Sequence, residues 1–131
     1  MQNGLSEGQK RAYDLMMSGE NVFLTGEAGT GKTFVVTEFL NGCRRLRKKV
    51  LVCAPTGVAA INIRGTTLHR AFQLPVKGLR PDKPYKIPSG VSSAEIIVID
   101  EISMCRFDVF AIVASVLKNS RKRKQIIVVG D

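Results

Sequence analysis

The stretch Gly26-Glu27-Ala28-Gly29-Thr30-Gly31-Lys32-Thr33 decides how this chain folds. It has the spacing G-x-x-x-x-G-K-[ST], with an apolar segment before it, Asn21 to Thr25, and a helical pattern after it from about Lys32 to Leu40. Its three glycines let the backbone curl until successive N–H groups face one point. A helix starting at Lys32 aims its positive dipole end at the same point. That geometry receives a phosphate. Lys32 would bridge the β- and γ-phosphates of a bound nucleotide, and the Thr33 hydroxyl would take one position on Mg²⁺. Gly26, Glu27, Ala28, Gly29, Thr30 and Gly31 form the backbone cradle.

Further along, Val50 to Ala54, Glu95 to Ile99 and Gln125 to Val129 are near-continuous apolar runs, as expected of strands covered on both faces. Helical patterns fall between them, at Val58 to Ile63, Thr67 to Phe72 and Phe107 to Leu117. The chain opens on an amphipathic pattern, Leu5 to Ser18, with Ala12, Leu15 and Met16 on one face and a capping box made by Ser6 and Gln9. Alternating β and α elements predict an α/β fold, a mostly parallel sheet with helices on both sides. Leu74 to Ala94 breaks the rhythm. It holds four of the five prolines and has no clear period, so it reads as a long loop.

The third strand ends in a second motif, Glu95-Ile96-Ile97-Val98-Ile99-Asp100-Glu101. A carboxylate at the end of an apolar strand lies at the sheet edge where open α/β sheets bind ligands. Asp100 would hold the Mg²⁺ shell, and Glu101 would orient and deprotonate an attacking water. No Asn-Lys-x-Asp segment of the kind that reads guanine occurs, so ATP hydrolysis is the expected chemistry.

The 131 residues suffice for one domain. No apolar run nears the ~20 residues that span a bilayer. Cys43, Cys53 and Cys105 are widely spaced, which argues against a zinc site and for buried thiols in a reducing, intracellular compartment. The net charge of +9 resides in two runs, Arg44, Arg45, Arg47, Lys48, Lys49 and Arg121, Lys122, Arg123, Lys124. Both follow helical patterns and precede strands, so they read as solvated faces that complement helix C-termini rather than as a nucleic-acid surface.

In order, Gln9, the GEAGTGKT loop, APTGVAA (Ala54 to Ala60), GTTLHRAF (Gly65 to Phe72), VIDEISM (Val98 to Met104) and VVGD (Val128 to Asp131) resemble the first motor domain of a superfamily 1 DNA helicase of the PIF (petite integration frequency) and RecD-like group. The resemblance implies a RecA-like, three-layer P-loop core, stopping here after the fourth core strand, with that strand lying between the P-loop strand and the Asp100 strand. It implies MgATP as substrate, 5′ to 3′ movement on single-stranded DNA, and Asp131 close to the γ-phosphate. Gln9 matches the residue that reads adenine, against its reading as a helix cap. Thr56 and Gly57 match a contact to a DNA phosphate, and Thr67 and His69 match a DNA-cleft segment. On residue type alone, Thr56 and Thr67 are equally N-caps, and His69 is a structural histidine. A second motor domain, which completes the ATP cleft in this group, is absent from these residues, so by themselves they are expected to bind MgATP without efficient hydrolysis or unwinding. Without the resemblance, a stand-alone P-loop nucleotide-binding module remains open.

Overall fold

The computed structural model describes residues 4–26, 31–75, 77–80 and 84–130. Five strands, β1 (Val22–Leu24), β2 (Val50–Ala54), β3 (Thr66–Thr67), β4 (Ile96–Ile99) and β5 (Gln125–Val129), form one sheet in the order β1-β5-β4-β2-β3. Every pairing is parallel. The last apolar run therefore lies between the P-loop strand and the Asp100 strand, as expected. The two-residue β3 adds a strand that hydrophobic runs did not reveal, because Thr66 and Thr67 pair only with Cys53 and Ala54. The final core strand is thus the fifth rather than the fourth.

Among the described residues, six α-helices complete the three layers: α1 (Glu7–Met17), α2 (Lys32–Arg45), α3 (Gly57–Asn62), α4 (Leu68–Ala71), α5 (Ser89–Ser93) and α6 (Phe107–Lys118). The alternation along β4 explains why both faces need cover. Ile96 and Val98 pack with Tyr13, Met16, Val35, Val36 and Phe39 of α1 and α2, whereas Ile97 and Ile99 pack with α4, α5 and α6. All four β4 side chains are buried. Each such burial is worth about 1.5–3 kcal/mol, so β4 is the centre of the fold. Strand β1 does not share this double cover: Phe23, its middle residue, is 60% exposed.

Ser6 and Gln9 form the expected capping box on α1, but Leu15 faces solvent, and Tyr13 with Met16 supplies the buried face instead. Helix α2 runs past Leu40 to Arg45, through Asn41 and Gly42, two poor helix formers. The reason is tertiary. Gly42 lies against Tyr13 and Met17, where a β-carbon would sit 3.1–3.2 Å from their side chains, so the helix continues to keep α1 close.

The proline-rich segment is not structureless. Leu79, Tyr85 and Ile87 pack onto the core, and its end forms α5 around the buried Val91. Lys124 holds that helix: its Nζ donates to the carbonyls of Ser92 (2.9 Å) and Ala94 (2.6 Å) and is only 8% exposed. This corrects the view of the second basic run as wholly solvated. Burial pushes the Lys124 ammonium below the usual lysine range, and the charge of Lys122 adds to the effect. The thiols divide similarly. Cys43 and Cys53 are buried, with burial and the neighbouring Cys105 pushing Cys53 up to about 12, but Cys105 is partly exposed. Among the described residues no helix is long and apolar enough to cross a membrane.

Replacing Lys124 by methionine keeps the stem but strands two carbonyls that now accept from a cation. Urea unfolding should show a loss of about 1.5–3 kcal/mol, against under about 0.5 kcal/mol for Lys122→Met on the exposed neighbour.

Candidate nucleotide site

Because all five strands run parallel, their C-terminal ends share one edge. Gly26 follows β1, Asp100 follows β4, and Gly130 follows β5. Lys32, in the first turn of α2, joins these ends: its Nζ donates to the Gly26 carbonyl and, at 3.4 Å, to the Gly130 carbonyl. Its charge also acts on Asp100. Lys32, Asp100 and the end of β5 are therefore brought together as the sequence implied. Thr33, next on α2, is exposed. Glu27, Ala28, Gly29 and Thr30 of the loop, and Asp131, lie outside the described residues.

Asp100 is half-buried. Its backbone N–H donates to the Cys53 carbonyl (2.9 Å), which fixes it to β2, and its Oδ1 accepts from the Glu101 N–H (2.9 Å). Burial raises its carboxyl above the ordinary 3.8, and the Glu101 N–H and Lys32 act in the opposite direction. A hydroxyl and a single partly dehydrated carboxylate are hard oxygen donors. They suit Mg²⁺, which takes one or two protein ligands and completes its shell with phosphates and water. No group of three or more His, Cys, Asp or Glu that could hold a metal occurs among the described residues.

Glu101 has left-handed backbone angles, φ 54° and ψ 45°. Arg47, Arg64 and Gln73 also have positive φ, but each follows a helix end where the left-handed turn satisfies carbonyls. Glu101 instead follows a strand. Strain of about 1–3 kcal/mol is held there by the bond to Asp100 and by a 3-10 turn, Ile102–Met104. The carboxylate itself is exposed. Ile102 explains the glycine at position 130: a β-carbon there would lie 2.6 Å from Ile102 Cγ2. Neither Ile102 nor Gly130 was singled out as functional from sequence. The Gly-Asp at the end of an apolar strand was the available signal.

Gln9 caps α1 and also reaches the P-loop end. Its Oε1 accepts from the Ser6 N–H (2.8 Å) as a cap, and its Nε2 reaches the Gly31 carbonyl at 3.5 Å. It lines a cavity of about 310 Å³ with Ser6, Leu24, Gly26, Gly31 and Lys32. Thr56 caps α3 by accepting from the Ala59 N–H (3.2 Å), and Thr67 caps α4 by accepting from the Arg70 N–H (3.1 Å). Gly57 is exposed and His69 half-buried. Ala54 pairs with Thr67, so Thr56, Gly57, Thr67 and His69 cluster at the ends of β2 and β3, on the same sheet edge as Asp100.

The raised Asp100 carboxyl has a signed consequence. The folded protein holds this proton more tightly than the unfolded chain, so the charge costs stability above both values and nothing below 3.8. Without nucleotide, Asp100→Asn should raise the melting temperature at pH 7, and the gain should vanish as the pH falls below 3.8. A mutant less stable at pH 7 would contradict desolvation as the dominant effect.

The PIF1-like helicase family matches residues 4–131. Among curated relatives, the ATP-dependent DNA helicase Pif1 of Bdellovibrio bacteriovorus is 36% identical over 141 residues, 97% of this chain and 31% of that protein. The ATP-dependent DNA helicase Pif1 of Psychrobacter sp. is 32% identical over 136 residues, 94% of this chain and 21% of that protein. The solved Bacteroides Pif1 helicase in complex with ADP-AlF3 and single-stranded DNA superposes with a TM-score of 0.78 at 33% identity, covering 97% of this chain and 32% of that one. The chain thus spans between a fifth and a third of the length of these proteins. By the family match over nearly the whole chain and the likeness to these helicases, this chain belongs to the PIF1-like helicase family, as part of its RecA-like α/β core.

Proposed function

We propose that these residues are the ATP-gripping part of a DNA helicase that moves 5′ to 3′ on single-stranded DNA at the expense of ATP. The observation that carries the reading is the contact of Lys32 with the ends of β1 and β5 beside Asp100. A γ-phosphate entering there would meet a cation from α2 and a carboxylate from β4. The loop amides and Lys32 bind the phosphates, while Thr33 and Asp100 would hold Mg²⁺, whose charge would offset that developing on a transferred phosphoryl. Glu101, exposed beside that site, takes the proton of the attacking water, and Asp131 is assigned a role toward the γ-phosphate. Gln9 faces the cavity beside the loop, where it reads the adenine edge.

The DNA contacts are proposed at the ends of β2 and β3. The hydroxyls of Thr56 and Thr67 already accept from helix amides, so they shape the backbone there. Gly57, exposed at the start of α3, offers its N–H to a phosphate, and His69 adds a donor. The single-stranded DNA in the Bacteroides Pif1 complex supports this partner. A second motor domain closes the cleft and contributes an arginine to it; the two basic runs precede β2 and β5, at the opposite sheet edge.

Glu101→Gln tests the assignment in the full-length protein. MgATP should bind as before while DNA-stimulated hydrolysis falls by about 10²- to 10⁴-fold. Normal turnover with lost nucleotide binding would show that Glu101 has another role.

A further inference from the structure

A second concave surface lies away from the nucleotide site. A groove of about 630 Å³ lies between α2 and α3, beside β2, with Val50, Val52 and Ile63 in its lining and Arg44, Lys48 and Arg64 around it. Among the described residues no carboxylate lines it. Arg44 bonds Asn41 Oδ1 (3.1 Å), while the side chains of Lys48 and Arg64 make no hydrogen bond or ion pair among the described residues. The nearby Glu95 accepts from the Lys49 N–H (2.9 Å).

The wall carrying Arg64 is built firmly. Ile63 is buried in the core, and Arg64 takes left-handed angles (φ 57°) so that the Gly65 N–H can donate to the Ala60 carbonyl (2.8 Å). A β-carbon at Gly65 would overlap the Val52 carbonyl, so the turn after α3 sits directly on β2. Three cations thus surround a fixed aliphatic surface.

We propose that this groove docks an acidic protein segment carrying aliphatic anchors. Charge complementarity selects an anionic occupant. The lining holds no aromatic side chain, so nucleic-acid bases have no stacking platform, whereas leucine or isoleucine side chains fit the aliphatic surface. A second copy of the chain is disfavoured by its own net charge of +9. The site is separate from the nucleotide cavity, with which it shares no lining residue.

The test is fluorescence anisotropy with a labelled Asp-Asp-Ile-Asp-Asp-Leu peptide. The peptide should bind at low salt, and Lys48→Glu with Arg64→Glu should weaken it at least ~10-fold while nucleotide binding is unchanged. The charge-matched control Arg121→Glu with Lys122→Glu should leave the peptide bound, and replacing its Ile and Leu by Ser should abolish binding. Absence of binding, equal loss in the control, or indifference to the Ser replacements would overturn the proposal. Displacement by a thymidine oligonucleotide that is lost in the groove variant would assign the groove to nucleic acid and also overturn it.

Discussion

The site depends on β5 being inserted between β1 and β4. Only that order sets the Gly130 carbonyl within 3.4 Å of Lys32, a residue 98 positions earlier, and puts Asp100 within range of the same charge. The order is enforced chemically at both ends of β5. At its start, Gln125 Nε2 donates to the carbonyls of Met16 and Glu20, and the Ile126 N–H donates to Asn21 Oδ1, tying the strand to the α1–β1 turn. At its end, the Gly130 N–H donates to the Leu24 carbonyl (3.0 Å). The strand's interior, Ile127 and Val129, is buried between the same helices that cover β4.

The consequence is a site whose parts are coupled. Gly130 has room for Ile102 only because it lacks a side chain, and Ile102 begins the turn that keeps Glu101 in its left-handed conformation. Movement of Lys32 away from the Gly130 carbonyl therefore has a direct mechanical neighbour in the residue proposed to activate water. This is a short chain of contacts, Lys32 to Gly130 to Ile102 to Glu101, rather than a long-range effect.

Much of this was legible in the chain. The P-loop has a fixed spacing, and β2 and β5 are apolar runs whose ends coincide with those found. What escaped was tertiary. Helix α5 is Ser-Gly-Val-Ser-Ser, with little helical preference, and exists because Val91 is buried and Lys124 binds the carbonyls of Ser92 and Ala94. The same contact made Lys124 misread as a solvated charge. Leu15 and Phe23 fit their patterns but face solvent, because no other described element covers them. Thr56 and Thr67 could be read as caps or as DNA contacts, and their capping bonds confirm the first without deciding the second.

The central claim is that Lys32 holds the carbonyls of Gly26 and Gly130 where it would otherwise hold phosphates. The most direct test is a crystal structure of the protein with a non-hydrolysable MgATP analogue. The account predicts Lys32 Nζ transferred to the β- and γ-phosphates, with Mg²⁺ held by Thr33 and Asp100. A nucleotide bound elsewhere, or bound with Lys32 still on both carbonyls and the metal away from Asp100, would contradict it.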